Sequence, residues 1–359
     1  MPNQNLAGLA DLGQRLVDLV EAAGHLPIAV DAMGGDNAPD AVVAGARTAF
    51  EQLGIPVVLF GPPDALGSRG EVPFIAASEA IPMDADPTAS VRRMKDSSVV
   101  RGAEAVRDGL ASALVSAGNT GAAMAAALLR MGRIRGIARP AIASPIASPG
   151  GTPTILLDAG ANAECNPEWL VQFGQMGTVY ARLRYGVDKP RVGLMSIGEE
   201  SVKGNKVVKD AHRLMSVPGW LDHVGGDFIG NVEGRDLMST DVDVVVTDGF
   251  TGNVALKTLE GALDGMVRTL EGIAAGNQLI VDSARRLYEE LDPERTGGAI
   301  LLGVRGVAII SHGSSSAWAV ANAIGVAREM VQARVVDTLA EAARHSGPAS
   351  TAEGPASTG

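Results

Sequence analysis

Ser112-Ala-Leu-Val-Ser-Ala-Gly-Asn-Thr-Gly-Ala-Ala-Met-Ala-Ala-Ala-Leu-Leu129 holds the repeating unit of the chain. The apolar run Ser112–Ser116 breaks at Gly118-Asn119-Thr120-Gly121 and resumes as an Ala-rich segment of high helical propensity. The surrounding stretch, Gly109–Leu129, carries no charge and is long enough to span a bilayer. Its polar, turn-prone centre argues instead for strand, tight turn and helix. The same unit recurs outward in both directions. Ile28–Met33, Pro56–Phe60, Thr154–Asp158, Val192–Ile197, Asp243–Asp248 and Val307–Ser311 read as strands, and Pro39–Leu53, Asn119–Met131, Pro167–Tyr185 and Ser315–Ala343 as helices. Apolar strands alternating with helices predict an α/β class protein, an α/β/α sandwich with a largely parallel sheet covered on both faces.

The 359 residues are 46% hydrophobic and 20% charged, enough for a sizeable core. Residues 1–26 place Leu9, Leu12, Leu16, Leu19 and Ala23 on one stripe, giving an amphipathic helix extension; Asp11, Arg15, Asp18 and Glu21 exclude a secretory signal. Residues 27–345 then read as one α/β domain, with 251–291 a projecting helical hairpin, and 346–359 as a Gly/Pro/Ser/Thr-rich disordered tail. The uncharged run Pro140–Leu157 contains four prolines and cannot be one helix. A net charge of -11 and few aromatic residues argue against nucleic-acid binding. The single cysteine, Cys165, excludes an intrachain disulfide and a Cys-cluster metal site. The whole reads as cytoplasmic.

Chemistry gathers where the strands end, since open α/β sheets bind ligands beyond their carboxyl edges. Five such corners combine glycine with short polar residues: Asp31–Pro39 with Gly34 and Gly35, Gly118–Gly121, Asp158–Asn162, Asp248–Asn253 and His312–Ser315. Each is an ordinary turn and helix cap, or part of a shared anion site built from backbone N–H groups. No G-x-G-x-x-G follows a strand, and no P-loop, H-E-x-x-H or G-x-S-x-G motif occurs. The five histidines are scattered.

At Ile28-Ala-Val-Asp-Ala-Met-Gly-Gly-Asp36 the sequence resembles the bacterial phosphate acyltransferases of phospholipid synthesis. The resemblance continues through Lys95-Asp-Ser-Ser98, Ser116–Gly121, Leu157–Asn162, Lys203-Gly-Asn205, Phe228–Glu233, Asp248–Lys257 and His312-Gly-Ser-Ser315. It covers residues 28 to 330 in order. It implies transfer of a fatty acyl group from acyl carrier protein to inorganic phosphate, the acyl phosphate then serving a downstream membrane acyltransferase. It also implies a homodimer, no metal or organic cofactor, peripheral attachment to the cytoplasmic membrane surface, and a fold like those of phosphate acetyltransferases and isocitrate dehydrogenase-like enzymes. Departures from the family pattern fall at Asn166, Lys206 and Ser316.

Phosphate attack on a thioester needs positioning and an oxyanion site, not an activated protein nucleophile. Lys203 is the leading cation for phosphate or oxyanion, with Asn205 beside it, and Asn253 the leading amide donor to the reacting carbonyl. His312 either protonates the departing sulfur or is a strand-end histidine tied to backbone. Gly34, Gly35, Asn119, Thr120, Asn162, Thr251 and Ser314 complete the expected substrate-binding set, with Asp31, Asp36, Asp158 and Asp248 in supporting roles. Arg130, Arg133, Arg135 and Arg139 form either a docking patch for the acidic carrier protein or a helix C-terminus dressed with cations. The hairpin tip Ile273–Val281 offers apolar residues for membrane contact or for internal packing.

Overall fold

The computed structural model describes residues 17–345 except 275 and 276, so most of the N-terminal extension and the 346–359 tail lie outside the described residues. Residues 17–23 are helical, and Leu19 packs on the core. Eleven strands form one sheet: β1 (Ile28–Asp31), β2 (Val57–Gly61), β3 (Phe74–Ala76), β4 (Ala113–Ser116), β5 (Ala141–Ile146), β6 (Thr154–Leu157), β7 (Arg191–Met195), β8 (Asp227–Val232), β9 (Val244–Val246), β10 (Ala299–Leu302) and β11 (Val307–Ile310). Their spatial order is β3-β2-β1-β4-β11-β10-β5-β6-β9-β7-β8.

Alternating side chains cover both faces. Ile28, Val30, Val57 and Leu59 point into one core, while Ala29, Val58 and Phe60 point into the other. The first is closed by helices Pro167–Tyr185 and Ala317–Gln332, through Phe173, Met176, Tyr180, Val320 and Ile324. Ser98–Arg107 and Thr120–Ala126 close the second with Val99, Val100, Ala122 and Ala123. Asn166 caps Pro167–Tyr185 by accepting from Trp169 N at 3.0 Å, and Gly186 ends it at φ 66°. The expected Ser315–Ala343 helix divides at Arg334, whose φ of 54° separates Ala317–Gln332 from Val335–His345.

The sheet consists of two parallel blocks pointing in opposite directions. β3, β2, β1, β4 and β11 run one way; the ladders β11–β10, β10–β5 and β5–β6 are each antiparallel; β6, β9, β7 and β8 then run the other way. Three reversals leave the blocks opposed. Their register compensates: Val30, Val115, Ile309, Ile300, Ala143, Leu157 and Val246 stand in one row across the sheet. The row runs through the last or next-to-last residue of β1, β4, β11, β6 and β9, so both sets of carboxyl ends meet at one level. The long helix Gly249–Ile273 bridges them, Leu256 packing on the apolar clusters of both halves.

Candidate active site

Three corners are stitched together in the first block. Asp31, buried at the end of β1, accepts from Ser116 Oγ at 2.7 Å and Met33 N at 3.3 Å. Burial pushes its carboxyl above the ordinary range, opposed by the Ser98 and Ser116 hydroxyls. A Cβ on Gly34 would stand 2.6 Å from both Asp31 Oδ2 and Gly118 N, so this contact admits only glycine. Gly35 takes φ 113°, Asp36 N donates to Gly313 O at 2.8 Å, and Asn37 Nδ2 to Ser314 O at 3.0 Å. Gly34 and Gly35 thus hold the loops and do not line the cavity described below.

In the second block, Asp158 collects five donors: Ile142 N, Gly160 N and Ala161 N at 3.0–3.2 Å on Oδ1, with Asn162 N and Nδ2 at 2.7 and 2.9 Å on Oδ2. Burial raises this carboxyl too, and the N–H groups oppose the shift. Asn162 O accepts from Gly249 N at 2.7 Å, seating the bridging helix on the same corner. Asp248 caps that helix, accepting from Thr251 N and Oγ1 at 2.8 and 2.9 Å.

Between the two groups lies a cavity of about 880 Å³. Its polar lining includes Thr120, Asn253, Lys257, His312 and Ser314; Leu256, Leu259, Leu263, Met266 and Leu287 of the hairpin make an apolar side. His312 Nδ1 lies 2.7 Å from Ser314 Oγ, and His312 Nε2 lies 3.0 Å from Lys257 Nζ, which also donates to Glu260 Oε2 at 2.8 Å.

Thr120, Asn253, His312 and Ser314 are therefore brought together. Lys203 and Asn205 are not: they lie beyond β7, outside the cavity lining, where Lys203 is exposed and Asn205 caps Val208 N at 2.9 Å. Asn119 spends its amide on Ala122 N, Met83 O and Ala85 O, and Asn162 spends its Nδ2 on Pro140 O and Asp158. Both side chains brace loops, as does Thr251. Lys257 closes the Asp248–Lys257 stretch of the resemblance but was given no role from the sequence. Its spacing of four from Asn253 places the two on one helix face, and that was the available signal.

Cys165 is half-buried near Asp158 and Asp248; burial and these charges push its thiol up to about 12. A thiolate nucleophile is incompatible with that setting. In the arginine loop, Arg130 is tied to Glu104 and Val91 O, Arg133 donates to Ala138 O, Arg139 lies 4.8 Å from the Trp169 ring centre, and Arg135 is exposed. Arg305 adds a fifth guanidinium, donating to Met131 O at 3.0 Å.

The fold of two opposed parallel blocks is shared with solved phosphotransacetylases. The fold is similar to that of the Staphylococcus aureus phosphotransacetylase, at TM-score 0.57 and 15% identity over 89% of this chain and 99% of that one. The Streptococcus pyogenes phosphotransacetylase is similar at TM-score 0.56 and 18% identity over 94% and 100%. Residues 26–338 match the model of the fatty acid synthesis protein family, and the chain belongs to that family. Relatives include proteins named phosphate acyltransferase from Desulforudis audaxviator (47% identical, 87% of this chain, 95% of the relative) and Pelotomaculum thermopropionicum (47%, 88% and 94%).

Proposed function

We propose that this chain, with residues 27–345 as its catalytic unit, transfers a fatty acyl group from acyl carrier protein to inorganic phosphate, releasing acyl phosphate and the free carrier. The single observation that carries this reading beyond the family name is the two-sided cavity. An acetyl group needs only a corner of about 880 Å³, whereas an alkyl chain lying along Leu256, Leu259 and Leu263 uses the apolar side. A phosphate oxygen bonds to the thioester carbonyl carbon, the C–S bond breaks, and the proton of hydrogenphosphate ends on the carrier's sulfur. Phosphate is already an anion at neutral pH, so the protein's work is placement and oxyanion stabilisation. Asn253 is suited to donate to the carbonyl oxygen; a lost oxyanion donor costs about 2.7–4 kcal/mol of barrier.

Incubation with palmitoyl carrier protein, with and without phosphate, followed by hydroxylamine trapping tests the reading. Phosphate-dependent hydroxamate is expected. Preference for an acyl-coenzyme A donor would shift the assignment to a short-chain enzyme, and carrier binding without thiol release would make the chain a scaffold.

Three attachments belong to the same proposal. The arginine loop suits an acidic carrier protein, with Arg133, Arg135 and Arg139 exposed and Arg135 engaged by none of the loop contacts described above. Among the described residues no helix is long and apolar enough to cross a membrane. Yet Phe250, Ile273 and Leu279 on the hairpin are 67%, 68% and 78% exposed. Such residues suit a homodimer contact and a peripheral seat on the cytoplasmic membrane surface, which supplies the downstream membrane acyltransferase. Residues 275 and 276 of the expected tip lie outside the described residues. Sedimentation checks the dimer and vesicle flotation the membrane seat; a monomer, or protein that stays with the aqueous phase, would dismiss each in turn.

A further inference from the structure

We propose that Lys257 binds the inorganic phosphate, with Glu260 and His312 as its positioning residues. This rests on the acyl-to-phosphate reading above and adds a residue to it.

An ammonium carries three hydrogens and no acceptor. At Lys257 one is engaged by Glu260 Oε2 at 2.8 Å and a second by His312 Nε2 at 3.0 Å. The third is left for a ligand in the cavity that Lys257 lines. Two fixed partners hold the head of an otherwise floppy side chain, so little rotamer entropy remains to be lost on binding. Four carboxylates line the cavity and would repel phosphate if free, but Glu260 is committed to the ammonium, Asp264 to Arg268, Asp292 to Glu294 N, and Glu294 to Ser316 N and Oγ.

The same geometry assigns the histidine. A ring nitrogen accepting from an ammonium uses its lone pair, which puts the proton on Nδ1, where it donates to Ser314 Oγ at 2.7 Å; this is the shorter of two contacts there, and the 3.4 Å approach of Ser314 N to the same nitrogen is then given up. The Ser314 hydroxyl hydrogen then serves as a second donor to the ligand. In this arrangement His312 holds Lys257 and Ser314 in place, and is not the acid for the departing sulfur. Lys203 stands outside the cavity lining, so the cation beside the reacting groups is Lys257. A point charge interacts most with the reactant carrying most charge, which is hydrogenphosphate and not the neutral thioester.

The test compares Lys257→Met, which keeps most of the apolar stem, with Lys257→Arg, which keeps the charge. Two readouts are used: the Michaelis constant for phosphate in hydroxylamine-trapped turnover, and the phosphate-induced rise in melting temperature without any acyl donor. Lys257→Met is expected to raise the phosphate constant at least tenfold, leave the donor constant within twofold, and abolish the thermal rise. Lys257→Arg should recover part of both effects. The side chain is 47% exposed, so the variants should fold; Lys257→Gln, checked by circular dichroism, replaces Lys257→Met if that one does not. A folded, uncharged variant with wild-type phosphate constant and thermal rise overturns the proposal. Absence of acyl phosphate formation by the wild type would instead overturn the underlying reading, and the donor-free thermal measurement keeps the two failures apart.

Discussion

Replacing Asp158 by asparagine removes one oxygen from a carboxylate that only receives hydrogen bonds. The amide oxygen can take over Oδ1, where Ile142, Gly160 and Ala161 donate. The new NH2 then faces Asn162 N and Nδ2, at 2.7 and 2.9 Å, donor against donor. Two bonds to a charged acceptor are lost, each with a net worth of about 1.5–3 kcal/mol. Relief of the buried charge, whose desolvation raises the Asp158 carboxyl, offsets part of this. The remainder is a loss of about 2–4 kcal/mol. Function should suffer separately. Gly249 N bonds to Asn162 O, and a Cβ on Gly252 would fall 2.0 Å from Asp158 O, so the bridging helix starts directly on this corner. Loosening it displaces Asn253, the proposed carbonyl donor, and should lower turnover about tenfold or more, the expected effect of a small misplacement at a reacting centre. Urea denaturation followed by circular dichroism reads the stability, and hydroxylamine trapping the turnover. Stability within about 0.5 kcal/mol of wild type, the usual range for inconsequential surface changes, would refute the account of this corner.

Asp31 should behave in the opposite way: Ser116 Oγ can turn to accept from an amide, so Asp31→Asn should be neutral or stabilising at pH 7. The sign follows from its raised folded pKa, which makes the folded chain bind the proton more tightly; stability falls as pH rises from the usual carboxylate range through the folded value. Denaturation midpoints against pH should show that decline in the wild type and lose it in Asp31→Asn; an identical profile would remove Asp31 as its source. Cys165→Ala should retain turnover, and alkylation of the wild-type thiol should stay slow at pH 8, because the thiol is held near 12; rapid alkylation with loss of activity would reinstate it as a functional group. Arg135→Glu should raise the Michaelis constant for the carrier protein several-fold at low salt, with the difference fading as salt is added. An unchanged constant at low salt would discard the docking patch.

Seven of the nine parallel strands were legible because each is a short, nearly continuous apolar run leading to glycine; β3 and β8, at the two edges of the sheet and largely unburied, carry no such run. β5 and β10 were not legible either, and they are the strands that reverse the sheet. β5 contains Pro145, a residue that ordinarily argues against a central strand, and β10 follows directly on Gly297-Gly298. The site divides along similar lines. Asn253 and His312 sit at strand-end corners and reach the cavity; Asn119, Asn162 and Thr251 sit at the same kind of corner, but their side chains are spent on capping and bracing. A short polar residue after a strand looks the same in either role, since both use the same local hydrogen-bonding chemistry. Lys203 and Lys257 differ only in which helix or turn faces the cleft, and that depends on block orientation, a long-range property.

Block orientation also explains how one helix serves two half-sites. Had the number of antiparallel ladders between β11 and β6 been even, both blocks would have pointed the same way, with their ends along one edge as in an ordinary doubly wound sheet. Three reversals set the ends facing each other, and the register brings them level at Ile309, Ile300, Ala143 and Leu157. The helix leaving β9 then has only the width of the cleft to cross. Asn253 belongs to the β6–β9 side, beside Gly160, while Lys257 already touches His312 at the end of β11. Four residues of helix advance about 6 Å. On the proposed roles, a carbonyl held at Asn253 and a phosphate held at Lys257 would be served by side chains rooted about one helical turn apart, close enough for nucleophile and thioester to be brought into contact.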